Sequence, residues 1–220
     1  MDRDLVPQFV LPLVVRVERA SPPERTDALE AAPRSVLTLL RDPRARCGEW
    51  AESVNGWEAG RIRKVVRRAR GVGWQRATAL PGITVTQRTA QVRVHPPVPV
   101  DSWPADLARL QVAGTELEDP AAPSDPDPDA PVLWLNPALE MTAGKAMAQA
   151  AHAAQLAWWR LCDDARSDWT ATGFALAVRA APAGRWDKLV ASGLPVVRDA
   201  GFTEVAPGSC TVVADLPALR

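Results

Sequence analysis

The chain has 220 residues, of which 47% are hydrophobic and 24% charged, the composition of an ordinary soluble globular protein. Its formal net charge is zero, so the total charge does not indicate a nucleic-acid partner. The early apolar run from Phe9 to Val17 contains Pro12 and Arg16, and it is far shorter than the ~20 residues of a membrane span.

Cysteine and histidine are both scarce. Cys47, Cys162 and Cys210 form an odd set without CxxC spacing, which indicates reduced thiols. A zinc site is not expected, because His95 and His152 are the only histidines. The amino terminus has no secretory signal, so we expect a cytoplasmic protein that does not enter a membrane.

In chain order, the first half is predicted to begin with an apolar strand at Leu11–Arg16. A helix follows, and then a second strand near Trp50–Trp57, which is a poor strand by composition. The run Arg61–Arg70 predicts a basic helix. Residues 120–130 are rich in proline and aspartate and predict an extended linker between a domain of residues 1–119 and a domain of residues 131–220.

The second half is predicted more clearly. A short apolar strand is followed by an alanine-rich helix without proline. The last two strands are joined too closely for a long crossover, so they should be antiparallel. The predicted strands are Val132–Leu135, Phe174–Arg179, Leu194–Arg198 and Ser209–Ala214, and the predicted helices are Gly144–Leu161 and Trp186–Ser192.

The two halves resemble each other. Leu11–Arg16 corresponds to Pro131–Asn136, and 73–97 corresponds to 193–217, both at an offset of 120 residues. At an offset of 124, 59–66 corresponds to 183–190, which makes Lys64 and Lys188 equivalent. Such matches indicate a duplication. We therefore expect an α/β fold with two similar three-layer α/β/α domains, each with a mixed four-stranded sheet, paired as a tandem pseudo-dimer.

The segment from Met141 to His152 carries the clearest chemical signal. It follows a strand and opens a helix, where unpaired N–H groups favour an anion and Gly144 allows close approach. Lys145, Gln149 and His152 are spaced i, i+4, i+7 and therefore share one helix face. Lysine is rare in this chain, with 3 lysines against 23 arginines.

Two motifs in this half resemble the peptidyl-tRNA hydrolase family of the archaeal and eukaryotic type (type 2). The family has a Gly-Lys-x-Ala-Ala-Gln…His-Ala helix and a later Val-Arg-Asp-Ala-Gly-x-Thr segment followed by Ala-Pro-Gly-Thr. This chain departs from the family at Met147 and Ser209, and Asn136 stands where a basic residue is common. The resemblance covers residues 130–217 and is carried by GKAMAQ at 144–149, HA at 152–153, VRDAGFT at 197–203 and APGSCTV at 206–212.

The resemblance implies hydrolysis of the ester between a peptide and the tRNA 3′ end, without a metal or an organic cofactor. In this interpretation Asp199 orients or deprotonates a water molecule, and Lys145 keeps Asp199 ionised and stabilises negative charge. Thr203 would position the water or the substrate. The other candidate substrate-binding residues are Gly144, Gln149, His152, Arg198, Ser209 and Thr211.

Several alternatives stay open at this point. His152 and Gln149 can be structural, and Thr203, Ser209 and Thr211 can be ordinary strand residues. The basic run is either a solvated face or a set of tRNA phosphate contacts. The candidates for those contacts are Arg61, Arg63, Lys64, Arg67 and Arg68.

The first half lacks the candidate site. Its counterparts of Lys145, His152 and Asp199 are predicted to be Arg25, Ala32 and Ala79, which suggests a degenerate copy that acts as an internal partner. Two rival functions remain. One is a non-catalytic RNA-binding or assembly protein, and the other is a hydrolase of a different ester or amide.

Overall fold

The computed structural model describes residues 8–201 and 204–220. They form nine strands and eight α-helices, followed by a short 3₁₀ helix at Pro217–Leu219. The strands are β1 (Phe9–Arg16), β2 (Arg63–Ala69), β3 (Ile83–Gln87), β4 (Ala90–Val94), β5 (Val98–Pro99), β6 (Val132–Leu135), β7 (Ala177–Ala180), β8 (Val196–Arg198) and β9 (Cys210–Asp215). The helices are α1 (Arg25–Arg41), α2 (Pro43–Arg46), α3 (Ala51–Ala59), α4 (Gly71–Ala79), α5 (Ala105–Ala108), α6 (Ala143–Arg160), α7 (Asp163–Ala171) and α8 (Trp186–Ala191).

The two halves have the same sheet topology. The first sheet has the order β2-β1-β4-β3 and the second the order β7-β6-β9-β8, and in each only the first pair is parallel. Leu13 pairs with Val94, and Leu133 pairs with Ala214, so the central register repeats after 120 residues. The predicted α/β class with two mixed sheets is confirmed. The two-residue strand β5 adds a fifth strand to the first sheet.

Each sheet lies between helices. The outer face of the first sheet packs against α4 and α5, and the outer face of the second packs against α8. The long helices α1 and α6 pack against each other between the two sheets, and α6 also packs on β2. A buried ion pair of 2.7 Å joins Arg179 of β7 to Glu30 of α1. The two halves of the chain therefore share one apolar core.

Two secondary-structure predictions in the first half are wrong. Trp50–Trp57 is not a strand, because Trp50 directly precedes α3 and the other residues lie in that helix. The Trp57 ring N–H donates to the Arg63 carbonyl. Arg61–Arg70 is not a helix, because it contains β2, which pairs in parallel with β1. The β-branched pair Val65–Val66 at the centre of β2 and the pairing of β2 with β1 outweigh the helix propensity of the arginines.

The structural correspondence between the two halves differs in part from the sequence-based prediction. Lys64 lies in β2 and Lys188 lies in α8, so they are not equivalent. The turn between β3 and β4 has two residues, whereas β8 and β9 are joined by residues 199–209. When the strand registers of the two sheets are matched, Gln87, at the end of β3, occupies the position equivalent to Asp199. The predicted counterpart, Ala79, lies in α4.

The proline-rich segment 120–130 contacts the second half. The structure describes all residues from 109 to 131, between α5 and β6, and none of them belongs to a helix or strand. Arg179 donates to the carbonyl of Ser124, and Arg220 donates to the carbonyl of Pro128. No helix in the described ranges has the length and apolar character that a bilayer crossing requires.

Buried His95 makes stability depend on pH. Its Nδ1–H donates to the Pro81 carbonyl over 2.7 Å, while Nε2 is buried without a partner among the described residues. Burial lowers the pKa of His95 from 6.5 to about 4. Between pH 6.5 and about pH 4, residue 95 therefore binds a proton in the unfolded chain but not in the folded chain. The free energy of unfolding consequently decreases as pH falls from 6.5 towards 4.

We expect the wild type to lose about 3 kcal/mol more unfolding free energy between pH 7 and pH 4 than His95→Leu does. Denaturant titrations of both proteins at the two pH values measure this difference. All groups other than residue 95 are the same in both proteins, so their contributions cancel in the comparison. An equal loss in both proteins would show that His95 does not contribute.

Candidate active site

Lys145 lies in the first turn of α6, the central helix of the second half. The hydroxyl of Thr142 caps the helix by accepting the Lys145 backbone N–H. The same threonine donates from its backbone N–H and its hydroxyl to the Glu204 carboxylate, over 3.0 and 2.9 Å. This pair of bonds fastens the β8–β9 loop to the start of the helix.

Asp199 lies directly after β8, and its carboxylate meets the Lys145 ammonium group. The distance from Lys145 Nζ to Asp199 Oδ2 is 2.6 Å, and the two side chains are only 10% and 8% exposed. Oδ1 accepts the backbone N–H of Gly201 over 2.7 Å. Gly201 has a φ of +77°, and an added Cβ would lie 2.4 Å from the Pro207 ring, so only glycine fits this turn.

Gln149 connects the ion pair to the sheet. Its side-chain N–H donates to Asp199 Oδ2 over 2.8 Å, and its Oε1 accepts the Thr211 hydroxyl over 2.6 Å. The β8–β9 ladder shifts register between Val197 and Arg198, which leaves Thr211 as the extra residue of a β-bulge. The bulge turns the Thr211 side chain towards α6, where regular alternation would turn it away.

The candidates around Asp199 have different positions. Arg198, the last residue of β8, is exposed and donates to the Cys210 sulfur over 3.1 Å. Ser209 contributes its backbone carbonyl, which accepts the Asp199 N–H. Thr203 lies outside the described residues.

The two remaining α6 candidates face the first half of the chain. His152 lies about 10 Å along the helix from Lys145. Burial and the nearby charge of Lys64 hold its pKa well below 6.5. Gly144 packs against Thr115 and Val66 of the first half, and the Thr115 carbonyl accepts the N–H of the first helical residue. Both residues therefore lie where the two halves meet.

The basic run is divided by the alternation of β2. Lys64 and Arg68 face α6, on the same side of the strand as buried Val66. Burial lowers the pKa of Lys64 well below its usual value, and its ammonium group donates to Gln155 over 2.6 Å.

Arg67 faces the outer side, where its guanidinium donates to the Leu110 carbonyl and stacks on Trp103. Arg61 and Arg63 lie at the start of this run.

Sequence reasoning missed Thr142 and Glu204. The signal for Thr142 is its place as a capping residue just before the helix. Nothing in the local sequence indicates Glu204, because its contact depends on how the loop folds back. Within the described residues, no group of three or more histidine, cysteine or acidic side chains could hold a metal ion.

The geometry joins a cation, a carboxylate, an amide and a hydroxyl at the start of one helix. Such a set can hold a polar substrate and stabilise negative charge that develops beside it.

Comparison with known proteins agrees with this chemistry. The family model described as peptidyl-tRNA hydrolase PTH2 matches residues 131–220. No curated protein and no solved structure gave a significant match. Residues 131–220, the carboxy-terminal part of the chain, are therefore similar to the peptidyl-tRNA hydrolase PTH2 family.

Proposed function

We propose that the protein hydrolyses the ester bond between peptide and tRNA in peptidyl-tRNA. The observation that carries the proposal is the ion pair of Lys145 and Asp199 at the start of α6, within the residues that are similar to a peptidyl-tRNA hydrolase family. A charge pair at the mouth of a helix is suited to a reaction in which a carbonyl oxygen gains negative charge.

In the proposed reaction, water adds to the ester carbonyl carbon and the bond from that carbon to the tRNA ribose oxygen breaks. The water supplies a hydroxyl group to the peptide and a proton to the ribose oxygen. Lys145 stabilises the tetrahedral oxyanion by its charge. Asp199 orients the attacking water, and it is itself held by Lys145, Gln149 and the Gly201 amide.

We further propose that the first half is a degenerate copy of the family domain and acts as an internal partner. Its strand order and directions equal those of the second half, and α1 packs on α6. At the position of Asp199 it has Gln87, which bonds to Glu30 and Arg34 of α1. The copy thus has neither the lysine nor the carboxylate arrangement of the candidate site.

The test is a cleavage assay with two substrates, N-blocked peptidyl-tRNA and the same peptide esterified to a single adenosine. We expect release of intact tRNA and free peptide, with much higher kcat/KM for the tRNA substrate. Equal kcat/KM for both substrates would instead indicate an esterase that does not recognise tRNA. Binding of tRNA without any cleavage would indicate the RNA-binding alternative.

A further inference from the structure

One arginine of the first half, Arg68, lies on the strand that passes the start of α6. Arg68 faces α6 on β2, two residues beyond Val66, and Val66 already lies against Gly144 at the start of α6. The strand therefore continues past the helix start, and Arg68 is the side chain at that position.

The Arg68 guanidinium is fixed in place by neutral groups. Its Nε and Nη2 donate to Gln111 Oε1 over 3.2 and 2.7 Å, and Nη1 donates to the Gly114 carbonyl over 3.0 Å. Two of its five N–H groups, one on each terminal nitrogen, have no acceptor among the residues that the structure describes. No carboxylate in those residues forms an ion pair with it, so its charge is not neutralised locally.

Gly114 connects Arg68 to the site. The next residue, Thr115, accepts the N–H of Ala143, the first residue of α6. The path from Arg68 Nη1 to the start of α6 thus consists of two hydrogen bonds and the step from Gly114 to Thr115, a length on the order of 10 Å. Lys145 follows two residues later.

We propose that Arg68 binds a backbone phosphate of the tRNA near its 3′ end. This inference rests on the proposed function and assigns the phosphate contact to the half of the chain without the ion pair. A guanidinium with one free N–H on each terminal nitrogen matches the paired oxygens of a phosphodiester. The Lys64 ammonium lies over the Trp57 ring and donates to Gln155, and Arg67 faces the outer side, so neither is placed for this contact.

The test measures kcat/KM of Arg68→Gln on peptidyl-tRNA and on the peptide esterified to adenosine. We expect the ratio of the two values to fall about tenfold, with the loss mainly in KM for the tRNA substrate, because one charged contact is removed. The slope of log KM against log salt should decrease by about 0.7. Arg68→Lys should restore much of the salt dependence.

Arg76→Gln is the matched control, because Arg76 is an exposed arginine on the outer helix α4. An unchanged substrate ratio in Arg68→Gln, or an equal change in Arg76→Gln, would contradict the inference. Equal losses on both substrates would also contradict it, because they indicate a structural role. If the wild type cleaves no peptidyl-tRNA, the proposed function fails, and the affinity of Arg68→Gln for uncharged tRNA then tests the contact alone.

Discussion

Replacement of Lys145 by methionine should slow peptidyl-tRNA cleavage by about 100-fold or more, the usual effect of removing a group that stabilises an oxyanion. Methionine has a similar length without the charge. Asp199 keeps its bonds to Gln149 and Gly201 in the variant, so we expect the protein to remain folded. Single-turnover cleavage of peptidyl-tRNA measures the effect, and a thermal unfolding curve checks the fold.

Lys188→Met is the control for this variant. Lys188 is an exposed lysine of the same half, on α8 at the outer face of the second sheet. Its replacement should leave the cleavage rate near that of the wild type. Equal rates for the Lys145 and Lys188 variants would remove Lys145 from the mechanism.

Replacement of Asp199 by asparagine should have a comparable effect, a loss of about 100-fold or more. Asparagine preserves the shape and can still accept one hydrogen bond, but it removes the carboxylate charge that faces the Lys145 side chain, which is only 10% exposed. Loss of one partner of a buried ion pair also lowers stability by a few kcal/mol, about 3 or more where the other charge stays buried.

Asp187→Asn provides the matching control, because Asp187 is an exposed carboxylate on α8. Cleavage rates and denaturant midpoints of the two variants should be compared at one pH. A wild-type cleavage rate in Asp199→Asn would show that the carboxylate neither orients water nor holds the lysine in the reaction.

Much of the second half could be predicted from its sequence. Val132–Leu135 is a short apolar run and forms β6 with those bounds, and the alanine-rich segment forms α6. In these segments, local propensity and burial favour the same structure. The arginine-rich segment of the first half differs, because its structure depends on parallel pairing with β1, a contact more than 40 residues away in sequence.

The candidate site was only partly predictable for a similar reason. Lys145 and Gln149 could be placed on one helix face from their spacing. Thr211 faces Gln149 because of a bulge, and no alternation rule indicates that. The position of Arg68 depends on which face of β2 meets α6 and on the path of residues 111–115, so the sequence alone could not select it from five basic residues.

The central claim is that Lys145 and Asp199 act as one unit in peptidyl-tRNA hydrolysis. The most direct measurement compares the single-turnover rate of Lys145→Met/Asp199→Asn with the rates of the two single variants. We expect the double variant to be no more than a few-fold slower than the slower single variant. Losses that multiply, to about 10,000-fold if each single loss is about 100-fold, would show that the two residues act independently and would contradict the account.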